Sequence, residues 1–125
     1  MPSKGSRMLF ASAVPIARGE TDRYRNLAIE LEPHIEEYSG LNARYEIARH
    51  AFWINHTRSG ADLGVSVYDI AQTGLESMRQ RKWDTTSAYD SWWLEFVRDV
   101  NGIDLLTEPA HAAAPEQVFS WERRS

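Results

Sequence analysis

The chain has 125 residues, 42% hydrophobic and 11% aromatic, with a net charge of −4 at pH 7 and no cysteine. That is one domain, residues 1–125, able to bury roughly two thirds of its unfolded surface, so disorder over most of the length is excluded. Its scattered Lys and Arg argue against nucleic acid as a partner, and disulfides, thiol nucleophiles and thiolate metal sites are ruled out.

Residues Met1 to Ser6 have the composition of a tail, with no apolar region long enough for a signal peptide after them. No apolar run approaches the ~20 residues of a membrane helix. A cytoplasmic protein with no membrane partner is the expectation. Arg7 to Ile16 is short, apolar on both faces and followed by Gly19, which predicts a first, central strand. Thr21 and Asp22 then open a long helical pattern in which Tyr24, Leu27, Ala28, Leu31, Ile35 and Tyr38 share a face. Pro33 predicts a kink or two abutting helices, and Ser39-Gly40 a stop.

From His50 to Thr57, Phe52 and Ile54 alternate with Trp53 and Asn55, the period of a strand. Leu63 to Tyr68 alternates likewise, and the two form a hairpin with a loop of about five residues. Small residues at Gly64 and Ser66 are either a cavity cue or a seat for a packed helix. Asp69 to Gln80 predicts a second helical region, and the basic group Arg79, Arg81 and Lys82 reads as its solvated end. Ser87 to Gly102 predicts a capped helix with Tyr89, Trp93, Phe96, Val97 and Val100 on one face and Trp92 at its edge, toward a partner or the surface. Ile103 to Pro115 reads as loop. Gln117 to Glu122, with Phe119 and Trp121 on one side, predicts a last strand.

The order β-α-β-β-α-β is that of the ferredoxin-like α+β fold, a four-stranded antiparallel sheet with both helices on one face. The open face would be apolar too, and an uncovered apolar face of several hundred Å² predicts a homodimer with the sheets facing each other.

The pieces Ser39-Gly40-Leu41, Phe52-Trp53-Ile54, Val67-Tyr68, Tyr89-Asp90-Ser91-Trp92-Trp93, Asn101-Gly102-Ile103-Asp104-Leu105 and Pro115-Glu116-Gln117-Val118 together resemble a group of small uncharacterised bacterial proteins of the dimeric α+β-barrel superfamily. The resemblance runs from about Leu27 to Trp121 and is most specific from Asp90 to Leu105. The group often carries His where this chain has Asn101, so no role of that His carries over. The superfamily includes cofactor-free monooxygenases, polyketide cyclases, haem-degrading enzymes, muconolactone isomerases and stress-response barrels. The resemblance therefore implies the fold, the dimer and a pocket for small, often aromatic molecules between helices and sheet, but no single reaction.

Among candidate site residues, His50 and His56 lie six apart on one strand, about 20 Å, too far to share a metal. No His-x-x-x-His spacing occurs, so no metal and no cofactor is expected. His34, His50 and Tyr68 are the acid–base candidates, with Glu37 or Asp90 as the opposing carboxylate. Each has a bland alternative: capping for Asp90, a solvated charge for Glu37, a core ring for Tyr68. Trp53, Asn55, Trp93, Trp121 and Glu37 are the substrate-binding candidates. The five Trp either wall a flat cavity or fill the dimer interface. Two functions follow: a cofactor-independent cyclase, isomerase or monooxygenase acting on an aromatic or polyketide-like metabolite, or a non-catalytic ligand-binding or stress-response barrel.

Overall fold

The computed structural model describes residues 6–107, 116–121 and 123. It is an α+β arrangement built on three antiparallel strands: β1 (Arg7–Pro15), β2 (Ile47–His56) and β3 (Asp62–Ala71) in the order β1-β3-β2. Between β1 and β2 come α1 (Thr21–Arg25), α2 (Leu27–Leu31), a 3₁₀ turn over Glu32–His34 and α3 (Ile35–Arg44); α4 (Gln72–Arg79) and α5 (Ala88–Asn101) follow β3.

Strand alternation sorts the side chains into two faces. Phe10 pairs with Tyr68 across the ladder, and Tyr68 with His50; Phe52 lies opposite Ser66 and Ile54 opposite Gly64. The helices cover this face. Tyr24 of α1 lies so close on Gly64 that a Cβ there would meet its ring at 2.7 Å, and Ser66 hydrogen-bonds Ser12 at 2.9 Å. The two small residues of β3 therefore seat a helix and a cross-strand bond, not a void.

The core joins Ile16, Tyr24 and Leu27 to Phe96, Val97 and Val100 of α5, the face expected from the 3.6-residue period. Ser87 Oγ accepts from the Asp90 amide at 3.3 Å, and Gly102 ends α5 at φ 69°, a conformation that glycine reaches at low cost. The far end is tied to the sheet: Ala17 N–H donates to Val100 O at 2.6 Å and Asn101 Nδ2 to Pro15 O at 2.9 Å.

Several expectations shift. The stop at Ser39-Gly40 is overrun, because Gly40 is exposed and only weakens a helix interior; α3 continues to Arg44. The break at Pro33 is the 3₁₀ turn, where a missing N–H is tolerated. β2 begins three residues early, across a bulge between Ile47 and Arg49, and β3 extends to Ala71, so α4 starts at Gln72 and not at Asp69. The strand pattern prevails there because Arg7 through Pro15 pair with β3 from Leu63 to its end at Ala71. β3, not β1, is central; β1 is an edge strand with one face beneath the helices and the other open. Residues 116–121 form no strand, with Val118, Phe119 and Trp121 at least 74% exposed, so the sheet has three strands among the described residues. Glu122, His111 and the tail at 1–5 lie outside the described residues. No helix among those described is long and apolar enough to cross a membrane.

Gly74 carries a sharp steric requirement. A Cβ there would stand 1.8 Å from the Tyr45 carbonyl oxygen, which belongs to backbone held between α3 and β2. Gly74→Ala is expected to lower stability by about 3 kcal/mol, the upper end for overpacking, read from the urea midpoint.

Candidate functional site

A cavity of about 230 Å³ lies between the covered face of the sheet and the helices. Phe10, His50, Phe52 and Tyr68 of the strands form its floor. Tyr38 and Asn42 of α3 and Leu75 and Met78 of α4 make its sides. Tyr89, Trp92 and Trp93 of α5 close it, with Arg81 and Trp83 from the connection before α5.

That connection is held by a buried carboxylate. Asp90 is 4% exposed; it accepts from the Asp84 amide at 2.9 Å and pairs with Arg81, whose side chain is 16% exposed. The Arg81 guanidinium also lies over the Trp83 ring, 4.4 Å from its centroid. Asp90 thus closes no reciprocal capping box; its oxygens are committed to residues 81–84. A buried pair of this kind is costly to break, because either partner alone is an uncompensated charge.

His50 occupies the centre of the floor. Its ring stacks on Tyr68, centroids 3.8 Å apart at 20°, and lies 4.1 Å from the Phe52 ring. Nδ1 is 2.9 Å from the Tyr38 hydroxyl, and Nε2 is buried with no hydrogen-bond partner among the described residues. Burial pushes the imidazole down to about 4, so it is neutral at pH 7. Burial likewise pushes the Tyr38, Tyr68 and Tyr89 phenols up, which keeps them protonated. A neutral imidazole bonded to the Tyr38 hydroxyl can hold or pass a proton without creating a lasting charge.

Of the acid–base candidates, His50 and Tyr68 come together face to face. His34 stands apart from the cavity lining, stacked on Trp92 at 5.0 Å. Glu37 is exposed and accepts from Ser87 Oγ at 2.7 Å, so it fastens α3 to the start of α5 instead of reaching the cavity. Trp93 lines the cavity. Trp53 projects from the opposite face at 51% exposure and borders a second, more open hollow beside β2, which shares Tyr38, His50 and Phe52 with the first. Asn55 is exposed on that same outer face, and Trp121 borders neither hollow.

Trp92 does not look outward to a partner. Its indole N–H donates to Glu30 at 3.1 Å, and Glu30 also takes two hydrogen bonds from Arg23, at 2.9 and 3.1 Å. The Arg23 guanidinium holds the Glu30 carboxyl below the usual range, against partial burial and with help from Trp92. The sequence reading missed Tyr38, Asn42 and Arg81 as site residues, and placed Trp83 only among five Trp that either wall a cavity or fill an interface. Tyr38 was legible only as part of an apolar stripe; the i, i+4 spacing of Tyr38 and Asn42 was the available signal. His56 bonds Asp62 at 2.8 Å, six ladder positions from His50, and no three His, Asp or Glu among the described residues group as metal ligands.

Comparison with protein-family models, with curated proteins and with solved structures gives no match for this chain.

The depressed His50 value has a definite sign. The unfolded chain binds a proton at His50 below about pH 6.5, whereas the folded chain binds it only near pH 4, so stability falls as pH drops through that window. His50→Phe is expected to remove this component, up to about 3 kcal/mol, from the pH dependence of the urea midpoint measured between pH 7 and 4. Parallel curves for the two proteins would show that the imidazole is not held neutral by burial.

Proposed function

We propose that this chain forms a homodimer through the open face of its sheet, as in the dimeric α+β-barrel superfamily, and holds a small aromatic molecule in the cavity of each subunit. On this reading it is a cofactor-independent enzyme of the cyclase, isomerase or monooxygenase type, in which His50 moves a proton with Tyr38 and Tyr68 beside it. The observation that carries the reading is a neutral, buried imidazole with an unpartnered nitrogen in the wall of an aromatic cavity. A purely storing pocket needs no such group, because apolar walls alone hold an apolar ligand, whereas a proton-transfer site needs a titratable one.

The size of the cavity narrows the ligand. An engineered apolar cavity of about 150 Å³ takes benzene, and drug-sized ligands occupy roughly 300 Å³ or more. At about 230 Å³ the space suits one or two fused rings better than an extended polyketide. Saturable quenching of Trp fluorescence is expected with some members of a panel of one- and two-ring aromatic compounds, since Trp83, Trp92 and Trp93 all line the cavity. A flat response across the panel would count against any ligand.

Support for the dimer comes from the face opposite the helices. Ala13, Val65 and Trp53 form one row there, and Ala11, Val67 and Ala51 the next, with Leu9 at 64% exposure beyond them. Stable monomers seldom leave an apolar patch of more than a few hundred Å² uncovered. A fourth strand, drawn from the C-terminal segment and laid along the free edge of β1, belongs to the same proposal. Light scattering should give the mass of two chains, and Val65→Glu should give one chain with unchanged circular dichroism. A monomeric parent protein would remove this part of the reading.

A further inference from the structure

The basic group at the end of α4 is not simply a solvated helix end: Arg79 and Arg81 both line the cavity, and Lys82 does not. Each guanidinium lies over an aromatic ring of the wall. Arg79 stands 5.9 Å from the centroid of Phe10, on the floor, and Arg81 stands 4.4 Å from that of Trp83. A guanidinium seated on a ring face keeps the N–H donors at its edge for another partner. Arg79 is also exposed, at the last residue of α4, so it marks the mouth of the cavity.

The two arginines differ in what balances them. Arg81 pairs with the buried carboxylate of Asp90, so its charge is matched within the wall. Arg79 makes no ion pair among the described residues. Glu76, three residues earlier on α4, neither pairs with it nor lines the cavity, and no other Asp or Glu among the described residues lines it. The lining therefore carries one uncompensated positive charge at its mouth, beside a floor of apolar and aromatic rings. An anion drawn into an apolar space loses hydration, and only a partner of opposite charge offsets that loss. At the mouth that partner is present and part of the hydration is kept.

We propose that the ligand is an aromatic carboxylate, whose one or two rings lie on the floor beside Phe10 and Tyr68 and whose carboxylate pairs with the Arg79 guanidinium at the mouth. The inference rests on the pocket reading above and deepens it by making the ligand an acid. The paired N–H groups of a guanidinium match the two oxygens of a carboxylate. The charge matches as well: one uncompensated guanidinium balances a carboxylate, whereas a phosphate monoester brings about −1.5 to −2. Arg81 contributes shape to the wall, with its charge already answered by Asp90.

Calorimetric titration of the full-length protein at pH 7 with 2-naphthoate and with 2-naphthamide tests this, since the two share a ring system and differ in charge. The parent protein should bind the carboxylate roughly tenfold more tightly, the scale of one charge-assisted hydrogen-bonded contact. Arg79→Gln should erase that preference while leaving the affinity for the amide unchanged, which also shows that the variant is folded. Arg79→Lys should retain part of it. Lys82→Gln, an equal change of net charge outside the lining, should retain all of it. Equal affinities in the parent protein, or a preference that survives Arg79→Gln, would overturn the carboxylate site and leave the aromatic pocket standing. An equal loss in Lys82→Gln would do the same, because only the overall charge would then matter. Binding of neither compound would overturn the pocket reading and this inference with it.

Discussion

The ion pair of Asp90 with Arg81 holds the upper half of this protein in place. Asp90 sits in the first turn of α5, almost fully buried, and its carboxylate binds both the Arg81 guanidinium and the Asp84 amide. The connection from α4 to α5 has no helix or strand of its own between Gln80 and Ser87, so its course is set by these bonds and by the seat of Arg81 on Trp83. Since Arg81 and Trp83 are both in the cavity wall, the same pair that starts α5 also closes the space beneath it. Desolvating two charges is expensive, and the geometry recovers that cost only while both partners are present.

α5 is secured at its other end by different means. The left-handed Gly102 ends it, while Val100 O and the Asn101 side chain reach the end of β1. A helix pinned at both ends carries its aromatic face, Tyr89, Trp92, Trp93 and Phe96, across the sheet without collapsing onto it at the His50 end. Bulky rings on both sides, Phe10, His50 and Tyr68 below and the α5 aromatics above, meet where Gly64 and Ser66 no longer allow close approach. The cavity follows from that change from small to large residues along β3. At the Gly64 end Tyr24 fills the gap; at the Tyr68 end nothing of similar size does.

The chemistry of His50 follows from its position. Histidine is the residue whose charge responds most readily near neutral pH, and burial on the sheet removes that response by favouring the neutral ring. What remains is a polar ring with a single N–H and a single lone pair, bonded to the Tyr38 hydroxyl at Nδ1. The exposed His56 on the same strand, bonded to Asp62 beside solvent, has a different environment and no place in the cavity.

Much of the fold was legible in the amino-acid order. Alternation in Phe52–Asn55 and Leu63–Tyr68 predicted the hairpin and its two faces, and the Ser87, Gly102 and 3.6-residue pattern predicted α5, because these signals are local. Trp93 could be picked for the cavity on the same periodicity. What the order of residues could not supply was anything decided by partners distant in the chain. Strand ends depend on the pairing of β1 with β3, and the fate of residues 117–121 depends on whether a sheet edge receives them. The roles of Glu37, Trp92 and Asp90 were set by Ser87, Glu30 and Arg81, partners that only the folded chain brings within hydrogen-bond reach. His50 could be named from its residue type; that it meets Tyr38 twelve positions earlier, and leaves Nε2 unpaired, is a property of the packed tertiary structure alone.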